Sequence, residues 1–167
     1  MIAFEPLRAE DLLLLREWLG REHVRRWWRE GGQSLHHAED ALAGRERTRY
    51  FVIVLDARPV GMIETYLLRD EPEWAALIGE EADGAGVDFL IGEEDAVGRG
   101  VGPRVLEQFA GEIVFANPAT NAVVATVEEP NRRSWRAFEK AGFRHVRDVE
   151  EDGLPHRLMR LEHGYAP

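Results

Sequence analysis

One stretch near the middle of the chain constrains the fold more than any other. The apolar segment VDFLIG (residues 87–92) predicts a strand, and the turn AVGRGVG (residues 96–102) follows it closely. From Gly102 onward, apolar residues recur at positions 105, 106, 109 and 113, which predicts a helix with Pro103 in its first turn. Glycines let a ligand approach the backbone, and a helix start offers unpaired N–H groups to an anion. The stretch fits an anion-binding turn, although a turn that needs only left-handed conformations would use the same glycines.

Two familiar phosphate-binding motifs do not match this turn. A P-loop ends in Gly-Lys-Ser or Gly-Lys-Thr, whereas the chain here reads Gly102-Pro103-Arg104. The dinucleotide-binding fingerprint has the spacing G-x-G-x-x-G and opens the first strand–helix unit of its domain. Here the spacing is G-x-G-x-G in mid-chain, so neither class is predicted.

The remaining patterns predict an α/β domain with a mixed sheet, spanning residues 1–167. Strands are expected at residues 2–7, 50–55, 59–68 and 121–128, and as a final hairpin of residues 144–151 and 156–164. Helices are expected at residues 8–20, 21–32, 34–44 and 131–142, with Ser34 and Asn131 as N-caps and Gly142 as a left-handed terminator. The acidic segment 69–86 has little periodicity and is expected to be mostly loop.

Composition narrows the class of function. The formal net charge is −10, with 31 acidic and 21 basic residues, which argues against a nucleic-acid partner because such binding needs Lys and Arg against phosphates. The acidity suits a cationic ligand, although solubility alone also explains it. The chain has no cysteine, so disulfides, thiolate metal sites and a cysteine nucleophile are excluded. No stretch approaches the ~20 apolar residues that cross a bilayer, and a cytoplasmic protein is expected.

The glycine turn and the later segment NRRSWRAFEKAGF (residues 131–143) together resemble the GCN5-related N-acetyltransferase (GNAT) superfamily. The resemblance covers nearly the whole chain and implies a mixed sheet of about seven strands with helices on both faces. It also implies acetyl-CoA as cofactor. The family usually has Arg or Gln where this chain has Val97, a departure that removes one side-chain contact and leaves the backbone cradle.

The resemblance assigns the cofactor-binding residues in three groups. The phosphate cradle consists of Gly98, Arg99, Gly100, Val101 and Gly102, with Pro103 beside it. The strand residues Phe89, Leu90 and Ile91 would pair their backbone groups with the pantetheine arm, and one N–H would polarise the thioester carbonyl. Asn131, Ser134 and Phe138 would face the cofactor from the later helix. Phe138 stands where relatives often have a tyrosine that acts as the general acid. The departing coenzyme A thiolate would then be protonated by water, or by Tyr66 if the fold brings it near.

Within the superfamily, the chain looks most like aminoglycoside 6′-N-acetyltransferases and their relatives in siderophore biosynthesis. The segments WLGREHVRRWW, PVGMIETY and GVDFLIG carry this likeness. It implies a polycationic amine acceptor and a role in antibiotic resistance. A carboxylate must then accept a proton from the ammonium group before the amine attacks. Asp88 is the predicted catalytic base, because an acid inside the apolar run VDFLI is costly without a purpose.

Other residues are predicted to bind the acceptor together with Asp88. These are Trp27, Trp28, Tyr66, Glu73, Trp74 and Glu128. Adjacent helical residues point about 100° apart, so one of the two neighbouring tryptophans would be buried and the other would line a cleft. The scattered histidines lack metal-ligand spacing, and no metal site is proposed.

Alternatives remain open at this point. The acceptor could be a siderophore-precursor amine, a polyamine or a protein N-terminus, and a non-catalytic acyl-CoA-binding module would share the scaffold. The sequence does not choose between a monomer and a homodimer.

Overall fold

The computed structural model describes residues 1–164 and contains a seven-stranded mixed sheet flanked by helices. The strand order is β1-β2-β3-β4-β5-β7-β6. The strands are β1 (Ile2–Pro6), β2 (Arg49–Leu55), β3 (Arg58–Leu67), β4 (Gly84–Ile91), β5 (Ala122–Glu128), β6 (Arg144–Glu151) and β7 (Leu154–Glu162). The helices are α1 (Leu12–Gly20), α2 (Glu22–Arg25), α3 (Gly31–Leu42), α4 (Pro72–Ile78), α5 (Val101–Phe109) and α6 (Arg132–Lys140). The α/β class, the mixed sheet and the number of strands are therefore confirmed.

Backbone contacts divide the chain into two compact units, with divisions inside β3, inside β4 and between Arg99 and Gly100. Unit 1 comprises residues 1–65 and 88–99. Its core lies under α1 and α3, where Leu15, Trp18 and Leu19 pack with Val52, Met62 and Leu90 from the strands. The hairpin of β2 and β3 turns at Asp56 and Ala57, both of which have positive φ.

Unit 2 comprises residues 66–87 and the chain from residue 100 onward. Its parallel pair, β4 and β5, is followed by β7 and then β6, both antiparallel to their neighbours. Strand β7 is internal, with Leu158 buried, and β6 forms the edge of the sheet. Helix α6 begins at the Asn131 cap, whose side chain accepts a hydrogen bond from the Ser134 N–H, and Gly142 follows it with φ of 91°. The predicted limits of α6 are confirmed.

Three local predictions are wrong. Segment 69–86 contains α4, which begins at Pro72 and ends at the left-handed Gly79, so the expected loop is partly helical. Helix α2 ends at Arg25, and the two tryptophans predicted to lie on it follow in a turn. Ser34 is not an N-cap: α3 starts at Gly31, and the Ser34 hydroxyl donates to the Glu30 carbonyl instead.

Candidate active site

Three titratable side chains form a row across adjacent strands of unit 1. Tyr50 of β2 is registered against Glu64 of β3. The Gly92 N–H, just after β4, donates to the Val60 carbonyl of β3 at 2.8 Å. Because the two strands run antiparallel, Asp88, four residues before Gly92, lies opposite Glu64, four residues after Val60. Residues directly opposite on neighbouring strands share a face and lie close together. We call Tyr50, Glu64 and Asp88 the polar row.

The polar row lies at the margin of the apolar core. Each member of the row has a buried apolar neighbour two positions away on its own strand, and therefore on the same face of the sheet. These neighbours are Val52, Met62 and Leu90, all in the core under α1 and α3. Tyr50 packs against that core, and Glu64 and Asp88 are half-buried. Both carboxyl groups therefore lie at the edge of the apolar core, where they are partly exposed to solvent.

This environment changes the protonation of two members of the row. Burial and the charge of Asp88 raise the pKa of Glu64 well above its usual value, against the opposing effect of a hydrogen bond with Tyr50. Burial and the nearby Glu64 also raise the pKa of Tyr50 above its ordinary range. Tyr50 is therefore a neutral phenol, and the negative charge of Glu64 is disfavoured beside Asp88.

A carboxylate–imidazole pair, Glu46 and His37, borders the row. Glu46 lies near enough to raise the pKa values of both Tyr50 and Glu64, and its Oε1 contacts the Nδ1 atom of His37 on α3. His37 is thus a partly exposed histidine with a carboxylate partner. Trp28 packs against the core of unit 1. The neighbouring Trp27 instead stacks with the Arg26 guanidinium, whose Cζ lies 5.2 Å from the centre of the Trp27 ring.

The end of β4 is held by side chains from the α1–α2 region. The His23 ring donates from Nε2 to the Ile91 carbonyl at 3.0 Å, and Arg21 donates to the Gly92 carbonyl at 2.9 Å. Glu93 accepts from the Trp18 indole at 2.8 Å. The Ile91 carbonyl, predicted to pair with pantetheine, thus already has a protein donor. The side chain of Leu90 is in the core, so its part in a cofactor site is limited to its backbone.

The glycine turn has the backbone that an anion cradle needs. Gly98 and Gly100 have φ of 77° and 72°, and α5 begins immediately after Gly100. Apart from the chain neighbours, no heavy atom of the described residues lies within 4 Å of the position where a Cβ would stand on either glycine. Gly102 and Pro103 occupy the first turn of α5, and Val101 turns its side chain into the core. The turn therefore fits an anionic group bound by N–H groups, with Arg99 exposed beside them.

Aromatic residues of unit 2 pack around β4 and β6. A Cβ at Gly86 would lie 2.3 Å from the Tyr66 ring, so only a glycine lets that ring lie against the strand. Tyr66 packs edge-to-face with Trp74 at 5.6 Å, and the Trp74 indole donates to Glu151. Glu151 also accepts from the Thr126 hydroxyl at 2.9 Å. Tyr66 and Trp74 are thus half-buried and pack against the core of unit 2. Their contact with an acceptor stays a prediction.

Several acids in the acidic segment 69–86, and one acid that follows β5, have structural partners. Glu80 accepts from Arg160 at 3.2 Å, and Asp83 accepts from Asn121. Glu129 is held by Arg157 through two hydrogen bonds of 2.6 and 2.8 Å, which lower its pKa. Glu73, on α4, is exposed. Fewer of these carboxylates are therefore left to bind a cationic acceptor than the acidic composition of the segment indicates.

The later helix contributes less to a ligand surface than predicted. The ring of Phe138 is 2% exposed and packs edge-to-face on Phe143 at 5.0 Å, so it belongs to the core of unit 2 and does not line a site. Asn131 and Ser134 are half-buried and linked by the cap hydrogen bond. Glu128, at the end of β5, is half-buried as well. Contacts of these three residues with a ligand stay predictions.

Sequence analysis missed Glu64, Tyr50 and the Glu46–His37 pair. The signal for Glu64 was available, because it is an acid inside the apolar run VGMIETY, as Asp88 is inside VDFLI. Its position opposite Asp88 was not available, since it depends on the register of β3 against β4. Across residues 1–164, no group of three or more metal-ligating side chains is placed to hold a metal ion, and no helix is long and apolar enough to cross a membrane.

Comparison with known proteins identifies the class to which this fold and site belong. The model of the acetyltransferase (GNAT) domain family matches residues 8–151, so the chain belongs to that family of acetyltransferases. An aminoglycoside N(6′)-acetyltransferase type 1 from Klebsiella pneumoniae is 28% identical over 151 residues, covering 85% of this chain and 73% of the relative.

Solved structures share the fold. An aminoglycoside acetyltransferase AAC(6′)-Ib in complex with coenzyme A and kanamycin superposes with a TM-score of 0.79 at 21% identity, covering 98% of this chain and 95% of that one. An uncharacterized protein from Bacillus halodurans superposes with a TM-score of 0.84 at 24% identity, covering 96% and 83%.

Proposed function

We propose that the protein transfers the acetyl group of acetyl-CoA to a primary amine of a cationic aminoglycoside, at the 6′ position, and so confers resistance to such antibiotics. The single observation that carries the proposal is the polar row, because it sets Asp88 beside a second carboxyl group at the margin of an apolar core. Family membership supplies the reaction, and the relative named as an aminoglycoside 6′-acetyltransferase supports the acceptor.

The glycine turn would hold the pyrophosphate of acetyl-CoA. The Cβ positions of Gly98 and Gly100 open onto free space, so a phosphate could approach the backbone N–H groups there, and Arg99 adds a positive charge. When bound, acetyl-CoA supplies the acyl group as a reactive thioester. We place the reaction in the cytoplasm, because that donor is an intracellular metabolite.

Asp88 would bind the acceptor and take its proton. Aliphatic amines are mostly protonated at neutral pH and cannot attack a carbonyl in that form. A carboxylate in a partly buried position attracts the ammonium group and accepts its proton, directly or through water. Trp28 and Tyr50, which border the same core, would limit the access of water to this step.

The first experiment follows thiol release from acetyl-CoA with kanamycin, spermidine, a lysine derivative and a peptide N-terminus as acceptors. We expect turnover with kanamycin, and a loss of about 10²–10⁴-fold in kcat/KM for Asp88→Asn. Asp148→Asn, at an exposed aspartate of β6, is the matched control and should keep full activity.

A pair of acceptors tests the position of transfer. Neomycin carries an amine at its 6′ carbon and paromomycin carries a hydroxyl there, while the rest of the two molecules is the same. We expect neomycin to be acetylated and paromomycin to be spared at that ring. Turnover with another amine of the panel would keep the acetyltransferase and refute the aminoglycoside, and acetyl-CoA binding without turnover of any amine would favour a non-catalytic module.

A further inference from the structure

Glu64 occupies an environment that disfavours its negative charge. It is half-buried on β3, opposite Asp88, and the groups that act on it are Asp88, Tyr50 and Glu46, all acidic or neutral. The nearest basic group of this cluster, His37 on α3, is paired with Glu46. Placing an acid there costs stability, so the position is better explained by a ligand than by the fold.

A cation is the ligand that would relieve this environment. Two carboxyl groups on one face of neighbouring strands can bind an ammonium group between them. The Tyr50 hydroxyl, hydrogen-bonded to Glu64, fixes the orientation of that carboxyl group from the adjacent strand. The three elements β2, β3 and β4 thus form one preorganised binding face.

We propose that Glu64 is a second catalytic carboxyl group: Glu64 and Asp88 bind the acceptor's ammonium group as a pair and take its proton. This inference rests on the proposed function and adds to it a residue that the sequence did not indicate. Tyr50 acts through Glu64 and is a positioning residue.

The protons balance as follows. The resting pair carries one proton, and the arriving ammonium group displaces it to solvent because its own charge favours both carboxylates. The ammonium group then passes one proton to the pair and becomes a neutral amine. When the amine forms the C–N bond and the C–S bond breaks, the second nitrogen proton passes to the sulfur. The pair ends with one proton, as it began.

Proton release on binding tests this without turnover. Calorimetric titration of the protein with kanamycin, in the absence of acetyl-CoA, is repeated at pH 7 in buffers of different ionisation enthalpy. We expect release of about one proton per bound amine in the wild type and close to none in Glu64→Gln, where Asp88 alone receives the ammonium group. Glu5→Gln, an exposed acid on β1 with the same change of charge, should match the wild type.

Kinetics and spectroscopy supply two further readouts. Glu64→Gln should lower kcat by about 10²-fold and flatten the pH dependence of kcat/KM, while Tyr50→Phe should shift that profile to a smaller extent. A carbon-13 NMR titration of the resting protein should show one glutamate carboxyl group that titrates well above the others and is missing in Glu64→Gln.

The outcomes separate this inference from the proposed function. Equal proton release in Glu64→Gln and the wild type, with acetyl transfer intact, would overturn the role of Glu64 and leave the acetyltransferase standing. If kanamycin is neither bound nor acetylated, the amine that is turned over replaces it in the calorimeter. If none is, the proposed function fails, and the NMR titration decides: a Glu64 carboxyl group that titrates in the ordinary range refutes the pair.

Discussion

The polar row makes a prediction about stability that needs no substrate. The pKa of Glu64 in the folded protein is raised from its ordinary value of 4.5 by burial and by Asp88. Above pH 4.5 the unfolded chain releases this proton and the folded protein keeps it. The free energy of unfolding therefore contains a contribution that is fully present at low pH and is lost as pH rises towards the folded pKa.

The magnitude follows from linkage. One proton held by the folded state and not by the unfolded state changes the free energy of unfolding by about 1.4 kcal/mol per pH unit. Glu64→Gln keeps an acceptor for the Tyr50 hydroxyl but cannot titrate. Relative to this variant, the wild type should lose up to about 1.4 kcal/mol of stability per pH unit between pH 4.5 and the folded pKa of Glu64, and no more above that pKa.

Urea unfolding at several values between pH 5 and 8 measures this difference. Glu93→Gln is the control, because Trp18 and Arg21 lower the pKa of Glu93. Its contribution is present above pH 4.5 and is lost as pH falls, so the difference between Glu93→Gln and the wild type should stay constant over the window. A flat difference for Glu64→Gln as well would refute the raised pKa and the reasoning built on the polar row.

Two glycine substitutions test the framework around the site. A Cβ at Gly61 would lie 2.1 Å from the Leu90 carbonyl oxygen, so Gly61→Ala should push β3 away from β4 and lower the free energy of unfolding in urea by roughly 2–4 kcal/mol. Gly20→Ala, where a Cβ would meet open space, should leave the stability unchanged. Equal stability of the two variants would contradict the strand pairing. Gly100→Ala should lower the free energy of unfolding by about 1–2 kcal/mol, because Gly100 has a left-handed backbone, and should raise KM for acetyl-CoA. Gly111→Ala should leave that KM unchanged. An unaltered KM in both variants would show that the turn does not bind acetyl-CoA.

Local signals predicted most of the secondary structure. The Asn131 cap and the Gly142 terminator bounded α6, and two apolar runs separated by the turn DARP marked the hairpin of β2 and β3. The same kind of signal was present for α4, where Pro72 and Gly79 stand at the two ends, but the acidic composition between them suggested a loop. Signals of this kind depend on residues within one or two turns of the chain, so the sequence displays them directly.

The site depended on contacts between distant segments. Asp88 was recognisable as a costly acid in an apolar strand, and Glu64 met the same criterion unnoticed. What made them a pair, with Tyr50 bonded to Glu64, was the register of three strands, and register depends on which side chains fill the core under α1 and α3. The sequence alone was enough to indicate the family, most of the strands and helices, and the glycine turn before α5, because these patterns lie within short segments of neighbouring residues. Only the tertiary structure brings these carboxyl groups together and raises the pKa of Glu64, because burial and proximity are properties of the folded chain.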